Sequence, residues 1–390
     1  MSQGNKPRIH ILQIVGSQVG GIRKHIHSIL LNLDAGDFKF SYAYSTVTCD
    51  AKFHADLETM VSRREIGLLP LVINRQPSPL DVVNLLKIGR YLAQSDVDIL
   101  HGHGAKGGLY ARILGGLFGL KTIYTPHGGT AHNMFSRLGN ALYTAIEKAL
   151  FSWTDYFLFE SLYTANAYQA KVKRIPQHWR INHNGVTEVA ARPCLLAKDA
   201  DNIVTPIVKI GVFGMLRREK GQIYAAQALT YVLAQQYEVV LHLFGDGPTR
   251  DKLVEAVDAL QIRDRVIFHG DVSDAEAHMR MMDIILIPSL YESFGYVAAE
   301  AMALAKPIIA TRVGGLCEVL QDGVTAILVE AGNPQDIAAA IITYLTEPQR
   351  AREYSTAGYE RFQAMFTEDR MCRVIADTYH RVIDESSLKT

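Results

Sequence analysis

Ile287-Pro288-Ser289-Leu290-Tyr291-Glu292-Ser293-Phe294-Gly295-Tyr296-Val297-Ala298-Ala299-Glu300-Ala301-Met302 runs from the end of an apolar strand candidate through a polar loop into a helix-forming run, with Gly295 at the join. A short β-branched run, a loop and a longer helical run form one half of a strand–helix–strand unit. Its two glutamates stand eight apart, Glu292 in the loop and Glu300 inside the helix. A helix that starts between them aims unsatisfied N–H groups at any anion. Each carboxylate can accept from two vicinal hydroxyls, as on a ribose or a hexose. Glu300 sits within the apolar run Val297–Leu304, which predicts a buried carboxylate that needs a partner.

The same alternation continues on both sides of this stretch. In the second half the strand candidates are Ile207–Phe213, Val239–Phe244, Val266–His269, Ile284–Ile287, Pro307–Ala310 and Ile327–Val329, with helical runs such as Tyr224–Gln235 and Arg250–Leu260 between them. In the first half they are Ile9–Val15, Phe38–Ser45, Asp98–His101, Thr122–Thr125, Tyr156–Phe159 and Arg180–His183. Helical patterns there cover Gly21–Leu33, Leu80–Gln94, Lys106–Leu117, Phe135–Ser152 and Tyr163–Lys173. Glu188–Thr205 lacks a clear period, contains Pro193 and suits a linker. Pro334–Leu345, Gln349–Ala364 and Glu368–Asp384 close the chain as helices. The predicted fold class is α/β, with two Rossmann-like doubly wound domains over residues 1–190 and 205–367. Such domains face a central cleft and hold ligands outside the carboxyl ends of their strands.

Composition narrows the function. The 390 residues carry 40 Lys+Arg against 40 Asp+Glu and are 48% hydrophobic, as expected for two globular domains. No broad basic field argues for nucleic acid, and no window of about 18 apolar residues lacks a charge. Lys6 and Arg8 precede an apolar stretch, but His10 and Gln13 interrupt it and no small-residue cleavage site follows. Cys49, Cys194, Cys317 and Cys372 lie far apart without a C-x-x-C pair, which fits a reducing cytoplasm and neither a disulfide scaffold nor a zinc site.

Several strand-to-helix turns carry chemistry. Gly16-Ser17-Gln18-Val19-Gly20-Gly21 opens a helix after the first strand and lets backbone approach a ligand, or is a tight turn without one. His25, one turn on, faces the cleft or packs. Phe213-Gly214-Met215-Leu216-Arg217-Arg218-Glu219-Lys220-Gly221 gathers cations suited to a diphosphate, and it lacks the spacing of a P-loop. Phe244-Gly245-Asp246-Gly247-Pro248 reads as a structural turn. His101-Gly102-His103-Gly104 and Thr125-Pro126-His127-Gly128-Gly129 place histidines at strand ends, where each can donate to a substrate and where glycine clears room. His127 ranks above His103 because of its glycine pair. His101 and His103 lack a third ligand at a convincing spacing, so no metal site is expected.

Taken in order, these residues resemble the retaining GT-B glycosyltransferases of family 4. The resemblance rests on Glu292-x₇-Glu300 with Pro288-Ser289 before it and Lys306-Pro307 to Gly314-Gly315 after it. It extends to Gly20-Gly21, Thr125-Pro126-His127-Gly128, Asn184-Gly185-Val186, Lys220-Gly221 and Asp322-Gly323-Val324-Thr325. It implies a nucleoside-diphosphate-sugar donor in the second domain and an acceptor at the first, with the helix at 368–390 packing back on the first. By the same resemblance Glu300 holds the ribose hydroxyls, Glu292 meets the sugar, and the backbone of Phe294, Gly295, Tyr296 and Val297 touches sugar and phosphate. Arg217 and Lys220 grip the diphosphate, Gly20 and Gly21 pack near it, and His127 contacts the donor sugar. His127, Glu292 and Lys220 are thus the implied catalytic residues. Relatives carry Gly-Arg-Leu where this chain has Gly214-Met215-Leu216, which leaves Arg217 or Arg218 as the diphosphate arginine. No D-x-D triplet has a strand-end context, so no metal cofactor is expected.

The implied reaction moves a hexose to a glycan or lipid-linked acceptor in bacterial surface polysaccharide synthesis, in the cytoplasm or at the inner membrane's cytoplasmic face. The segment from Met134 to Trp153 reads either as a core helix or as one that rests on that membrane. Two rival functions are a GT-B sugar-nucleotide epimerase or hydrolase, and a non-catalytic sugar-nucleotide-binding protein.

Overall fold

The computed structural model describes residues 8–74, 76–128, 137–189 and 207–387. They form two compact units, one of residues 1–185 with 368–390 and the other of residues 186–367. The chain enters the second unit at Val186, whose N–H donates to the Phe366 carbonyl. The linker expected over Glu188–Thr205 falls mostly outside the described residues.

In the first unit seven strands, β1 (Ile9–Val15), β2 (Phe38–Ser45), β3 (Ile66–Leu71), β4 (Ile99–His103), β5 (Lys121–Thr125), β6 (Tyr156–Phe159) and β7 (Trp179–Ile181), lie in the order β3-β2-β1-β4-β5-β6-β7. Every pairing is parallel. β1 is buried along its whole length, as a strand with helices on both faces must be. The helices are α1 (Gly21–Asn32), α2 (Ala51–Arg63), α3 (Leu80–Leu92), α4 (Gly104–Phe118), α5 (Arg137–Ala149) and α6 (Leu162–Val172).

Sequence reading missed two of these elements. β3 carries Gly67 and Pro70, which argue against a strand, but it is the edge of the sheet and proline is tolerated there. α2 had a readable signal in Phe53, Leu57 and Met60, its buried stripe, and in the Asp50 carboxylate that caps it by accepting from the Phe53 N–H.

The second unit repeats the plan with six parallel strands. They are β8 (Val208–Phe213), β9 (Val239–Phe244), β10 (Val266–Gly270), β11 (Ile284–Ile287), β12 (Ile308–Thr311) and β13 (Ile327–Val329), in the order β10-β9-β8-β11-β12-β13. Its helices are α7 (Gln222–Ala234), α8 (Arg250–Ala259), α9 (Ala275–Arg280), α10 (Tyr296–Ala303), α11 (Leu316–Val319), α12 (Pro334–Thr346) and α13 (Pro348–Met365). Thr249 is the cap of α8, directly after the Gly245–Pro248 turn. The last helix, α14 (Glu368–Ser387), returns to the first unit. There Met371, Cys372, Ile375, Tyr379 and Val382 are buried in one core with Ile26, Ile29, Leu30 and Phe38.

α5 packs inward. Tyr143 and Glu147 are buried, and Glu147 meets Arg112 of α4, while Leu142 on the same helix is exposed. Among the described residues no helix is long and apolar enough to cross a membrane. Cys49, Cys317 and Cys372 are free thiols, and Cys194 lies outside the described residues.

Candidate active site

In each sheet the strand order reverses once, between β1 and β4 in the first and between β8 and β11 in the second. Ligands in such sheets bind at this switch point, outside the carboxyl ends of the strands. In the second unit the two flanking turns are Gly214–Gly221 and Pro288–Gly295.

Those turns are locked together by backbone. The Leu290 N–H donates to the Glu219 carbonyl at 2.8 Å. Gly221 has φ +67°, and a Cβ there would lie 2.0 Å from the Pro288 carbonyl oxygen, so only glycine fits. On the far side the Gly315 N–H donates to the Glu292 carbonyl at 2.9 Å. These contacts bring Lys220 Nζ to 2.6 Å from Glu292 Oε2, while Ser289 Oγ stands 3.4 Å from the same oxygen. The two side chains keep 29% and 17% exposure, so the pair is ordered yet reachable.

Arg217 sits beside this pair, its carbonyl accepting from the Lys220 N–H at 3.0 Å. Its side chain is 3.9 Å from Glu219, a loose contact that a phosphate can replace. Arg218 is solvent-exposed. Gly245-Asp246-Gly247 braces the same turn, with the Asp246 carbonyl accepting from the Leu216 N–H and the Gly214 N–H bonded to Phe244.

α10 begins at Gly295, φ +104°, without a side-chain cap, which leaves its first turn as a place for an anion's oxygens. Glu300 is half-buried, not buried as expected. At about 100° per residue the helix puts Tyr296, Val297 and Glu300 on one partly exposed face and turns Ala298, Ala299, Ala301, Met302 and Ala303 to the core. Phe294 is buried edge-on to Phe366, ring centroids 5.8 Å apart, so only its backbone can meet a ligand.

The first unit gathers histidines at its switch point. His101 and His103 lie on β4, His127 follows β5, Glu160 follows β6, and His25 rises from α1. His103 Nδ1 is 3.0 Å from His127 Nε2, and His127 Nδ1 is 3.3 Å from Glu160 Oε2. The Asn184 amide donates to the same Glu160 oxygen at 3.1 Å. His103 Nε2 lies 2.7 Å from Gln13 Oε1, and the Gln13 amide donates to the Tyr379 hydroxyl at 2.8 Å. Burial holds His25, His101 and His103 below the ordinary imidazole range, His101 at about 3, so all three are neutral near pH 7.

Two expectations change here. His101 spends both nitrogens on protein, Nδ1 with Tyr379 at 2.8 Å and Nε2 with Thr125 at 2.9 Å, and has none to offer a substrate. Gly102 clears room for α4 rather than for a ligand, since a Cβ there would lie 2.6 Å from the Gly107 carbonyl. His25 packs, its ring edge-on to His127 at 4.9 Å. Gly20, at φ 61° and ψ −129°, is exposed with open space where a Cβ would point, so backbone conformation alone demands glycine. Gly129 lies outside the described residues. Sequence reasoning missed Gln13, Glu160 and Tyr379. Glu160, directly after an apolar strand, carried a signal, whereas the Gln13–Tyr379 pairing spans 366 residues and left none. A cavity lined by Lys121, Asp155, His178 and Val382 lies at the opposite, amino-terminal edge of this sheet.

Two parallel-sheet Rossmann-like units make a GT-B architecture. Solved structures share it. The Anabaena protein HepE in complex with UDP matches with a TM-score of 0.77 at 20% identity, covering 96% of this chain and 100% of that one. A glycosyltransferase from Rickettsia africae matches with a TM-score of 0.78 at 16% identity, covering 97% and 99%. The family model of glycosyl transferases group 1 matches residues 200–361, and that of glycosyltransferase family 4 matches residues 19–188. The chain belongs to the family 4 glycosyltransferases. Among similar proteins, N-acetyl-alpha-D-glucosaminyl L-malate synthase of Bacillus anthracis is 33% identical over 178 residues, 45% of each chain. The lipopolysaccharide core biosynthesis glycosyltransferase LpsD of Rhizobium meliloti is 32% identical over 199 residues, 51% of this chain and 56% of that one. The matched region thus spans about half the length of these two relatives.

Proposed function

We propose that the protein is a retaining hexosyltransferase that moves a sugar from a nucleoside diphosphate to a glycan or lipid-linked acceptor, in lipopolysaccharide core or related surface-glycan synthesis. The observation that carries this reading is the Lys220–Glu292 pair, 2.6 Å apart at the switch point of the second unit and beside the uncapped start of α10. A departing diphosphate needs fixed positive charge, and Lys220, Arg217 and the helix start supply it without a metal. Glu300, on the same face as Tyr296 and Val297, accepts from the ribose hydroxyls, and Glu292 accepts from the sugar. The roles of Gly20, Gly21 and His127 follow from the family resemblance. The names of two relatives, LpsD and a lipopolysaccharide core biosynthesis mannosyltransferase of Rhizobium leguminosarum, support the pathway. A lipid-linked acceptor places the work at the cytoplasmic membrane face.

Retention follows if the leaving phosphate itself takes the acceptor's proton as the acceptor attacks from the same side. The test is a thermal-shift screen of nucleoside-diphosphate sugars, since a ligand that binds only the folded chain raises its melting point, followed by turnover with glycan acceptors in EDTA. Transfer with retained anomeric configuration, undiminished by EDTA, is the expected result. Hydrolysis or epimerisation of the donor without transfer overturns it.

A further inference from the structure

We propose that His25, His103 and His127 form a binding site for one divalent transition-metal ion of the zinc class, with Glu160 and Gln13 orienting its ligands. One nitrogen from each histidine lies within 4.8 Å of the others. Tetrahedral zinc, with Zn–N of about 2.0–2.1 Å, spaces its nitrogens about 3.4 Å apart, so His103 Nδ1 and His127 Nε2, at 3.0 Å, would open slightly while His25 closes on them. Imidazole donors favour zinc, copper or nickel over magnesium or calcium.

Hydrogen bonding gives an independent reason. The Glu160 carboxylate only accepts, so His127 presents Nδ1–H to it and turns Nε2 toward His103. The Gln13 amide nitrogen donates to Tyr379, which turns the Gln13 carbonyl toward His103 Nε2 and leaves the lone pair of His103 on Nδ1. His103 Nδ1 and His127 Nε2 then stand 3.0 Å apart, a gap bridged by one cation, either a proton shared between the rings or a metal ion that displaces it. His25 is buried, its ring nitrogens make no close hydrogen bond and have only the Asn184 amide beside them, and its ring stands edge-on to both partners. A carboxylate or amide oxygen on the far nitrogen of a metal-bound histidine is the usual orienting partner, and Glu160 and Gln13 stand there.

The consequence for catalysis rests on the reading of His127 above. An ion that holds His127 Nε2 withdraws it from the sugar, so this metal inhibits transfer and is not a cofactor for it.

The experiment titrates zinc chloride into the full-length, EDTA-stripped and dialysed protein by calorimetry, with cobalt(II) absorption as a geometric readout. His242 Nδ1 and His269 Nε2, 2.9 Å apart in the second unit, offer a competing pair, so every titration is repeated in a His269→Ala background. We expect one tight equivalent, with the visible bands of tetrahedral cobalt. His25→Phe, which keeps the ring packing and removes both nitrogens, should weaken it at least tenfold, and Glu160→Gln by roughly 10–100-fold. No saturable binding, an octahedral cobalt spectrum, or affinity unchanged in both variants overturns the proposal. The Gln13 amide is then reversed, with His103 donating to His127. Turnover is read separately. Failure to transfer any sugar without metal breaks the functional reading and leaves the titration standing, whereas zinc binding that spares turnover breaks only the inhibition.

Discussion

At its switch point the second unit holds Lys220 against Glu292 with both side chains still part-exposed, at 29% and 17%. At the same point of the first unit His25, His101 and His103 lie almost wholly out of water. The two sheets share a topology, so the contrast comes from what fills their turns. In the second, glycine-locked loops carry opposite charges on their rims, where water reduces the cost of keeping them ionised. In the first, the polar groups stand on β1, β4 and α1 themselves, and α14 covers them through Tyr379. Burial there selects neutral imidazoles. The charged site keeps ions in reach of water, and the neutral one offers uncharged imidazoles.

Acidification should separate the two units most. His101, His103 and His25 have depressed pKa values in the folded state, so the unfolded chain takes up protons first as pH falls below about 6.5. Stability is therefore full above that value and declines below it, by roughly 1.4 kcal/mol per pH unit for each such histidine. Glu147, also depressed, acts in the same direction at lower pH, losing its contribution as pH falls through its lowered value. In the second unit His242, at about 4, and His269 are lowered too, but both are less buried and count for less. Hydrogen exchange in EDTA at pH 7 and pH 5 should show β4 and β5 losing several kcal/mol of protection while β8 and β9 lose less. Equal losses would break the contrast.

Removing one charge should affect different properties in the two units. Arg112 is fully buried, with Nη1 2.7 Å from Glu147 Oε2. The Tyr124 and Tyr168 hydroxyls donate to the same carboxylate, each at 2.9 Å. Arg112→Met strands that carboxylate and should cost roughly 3–5 kcal/mol in chemical denaturation, with part recovered in the double variant with Glu147→Gln. A cost under about 1 kcal/mol would show that the pair is hydrated. Lys220→Ala should lower stability by no more than about 1 kcal/mol, because its pair is part-exposed. It should lower kcat roughly 10²–10³-fold, and donor affinity far less, since a charge that meets the leaving diphosphate acts mainly in the transition state. A variant that loses affinity and kcat equally would move that role elsewhere.

What could be read beforehand divides along the same line. The charged site was legible because its residues follow one another closely: Arg217 to Gly221 in one turn and Glu292 to Glu300 in another, each after an apolar strand. The doubly wound plan was legible for the same reason, since strand and helix periods are local. The histidine site was legible only as fragments. His25, His103 and His127 come from three elements, and their second partners, Gln13, Glu160 and Tyr379, from three more. No spacing rule joins residues that meet only once α14 has returned to the first sheet. β3 was lost for another reason, because Pro70 is penalised by local propensity and tolerated by an edge position that exists only in the assembled sheet.

The smallest effect concerns Glu300, and it tests whether the exposed face of α10 does what its chemistry allows. Glu300 is half-buried on the face it shares with Tyr296 and Val297, while Ala298, Ala299, Ala301, Met302 and Ala303 turn to the core. Glu300→Gln keeps the size of the side chain but presents one acceptor oxygen where two ribose hydroxyls need two. The loss of one charge-assisted hydrogen bond, about 1.5 kcal/mol or somewhat more, corresponds to roughly tenfold weaker nucleoside-diphosphate binding. A calorimetric titration with UDP and GDP measures it, and the matching 2′-deoxynucleotide should bind the variant and the parent alike if the missing bond is to the 2′-hydroxyl. Unchanged affinity for the ribonucleotides would remove Glu300 from the ribose and leave the proposed donor site resting on Lys220 and Glu292.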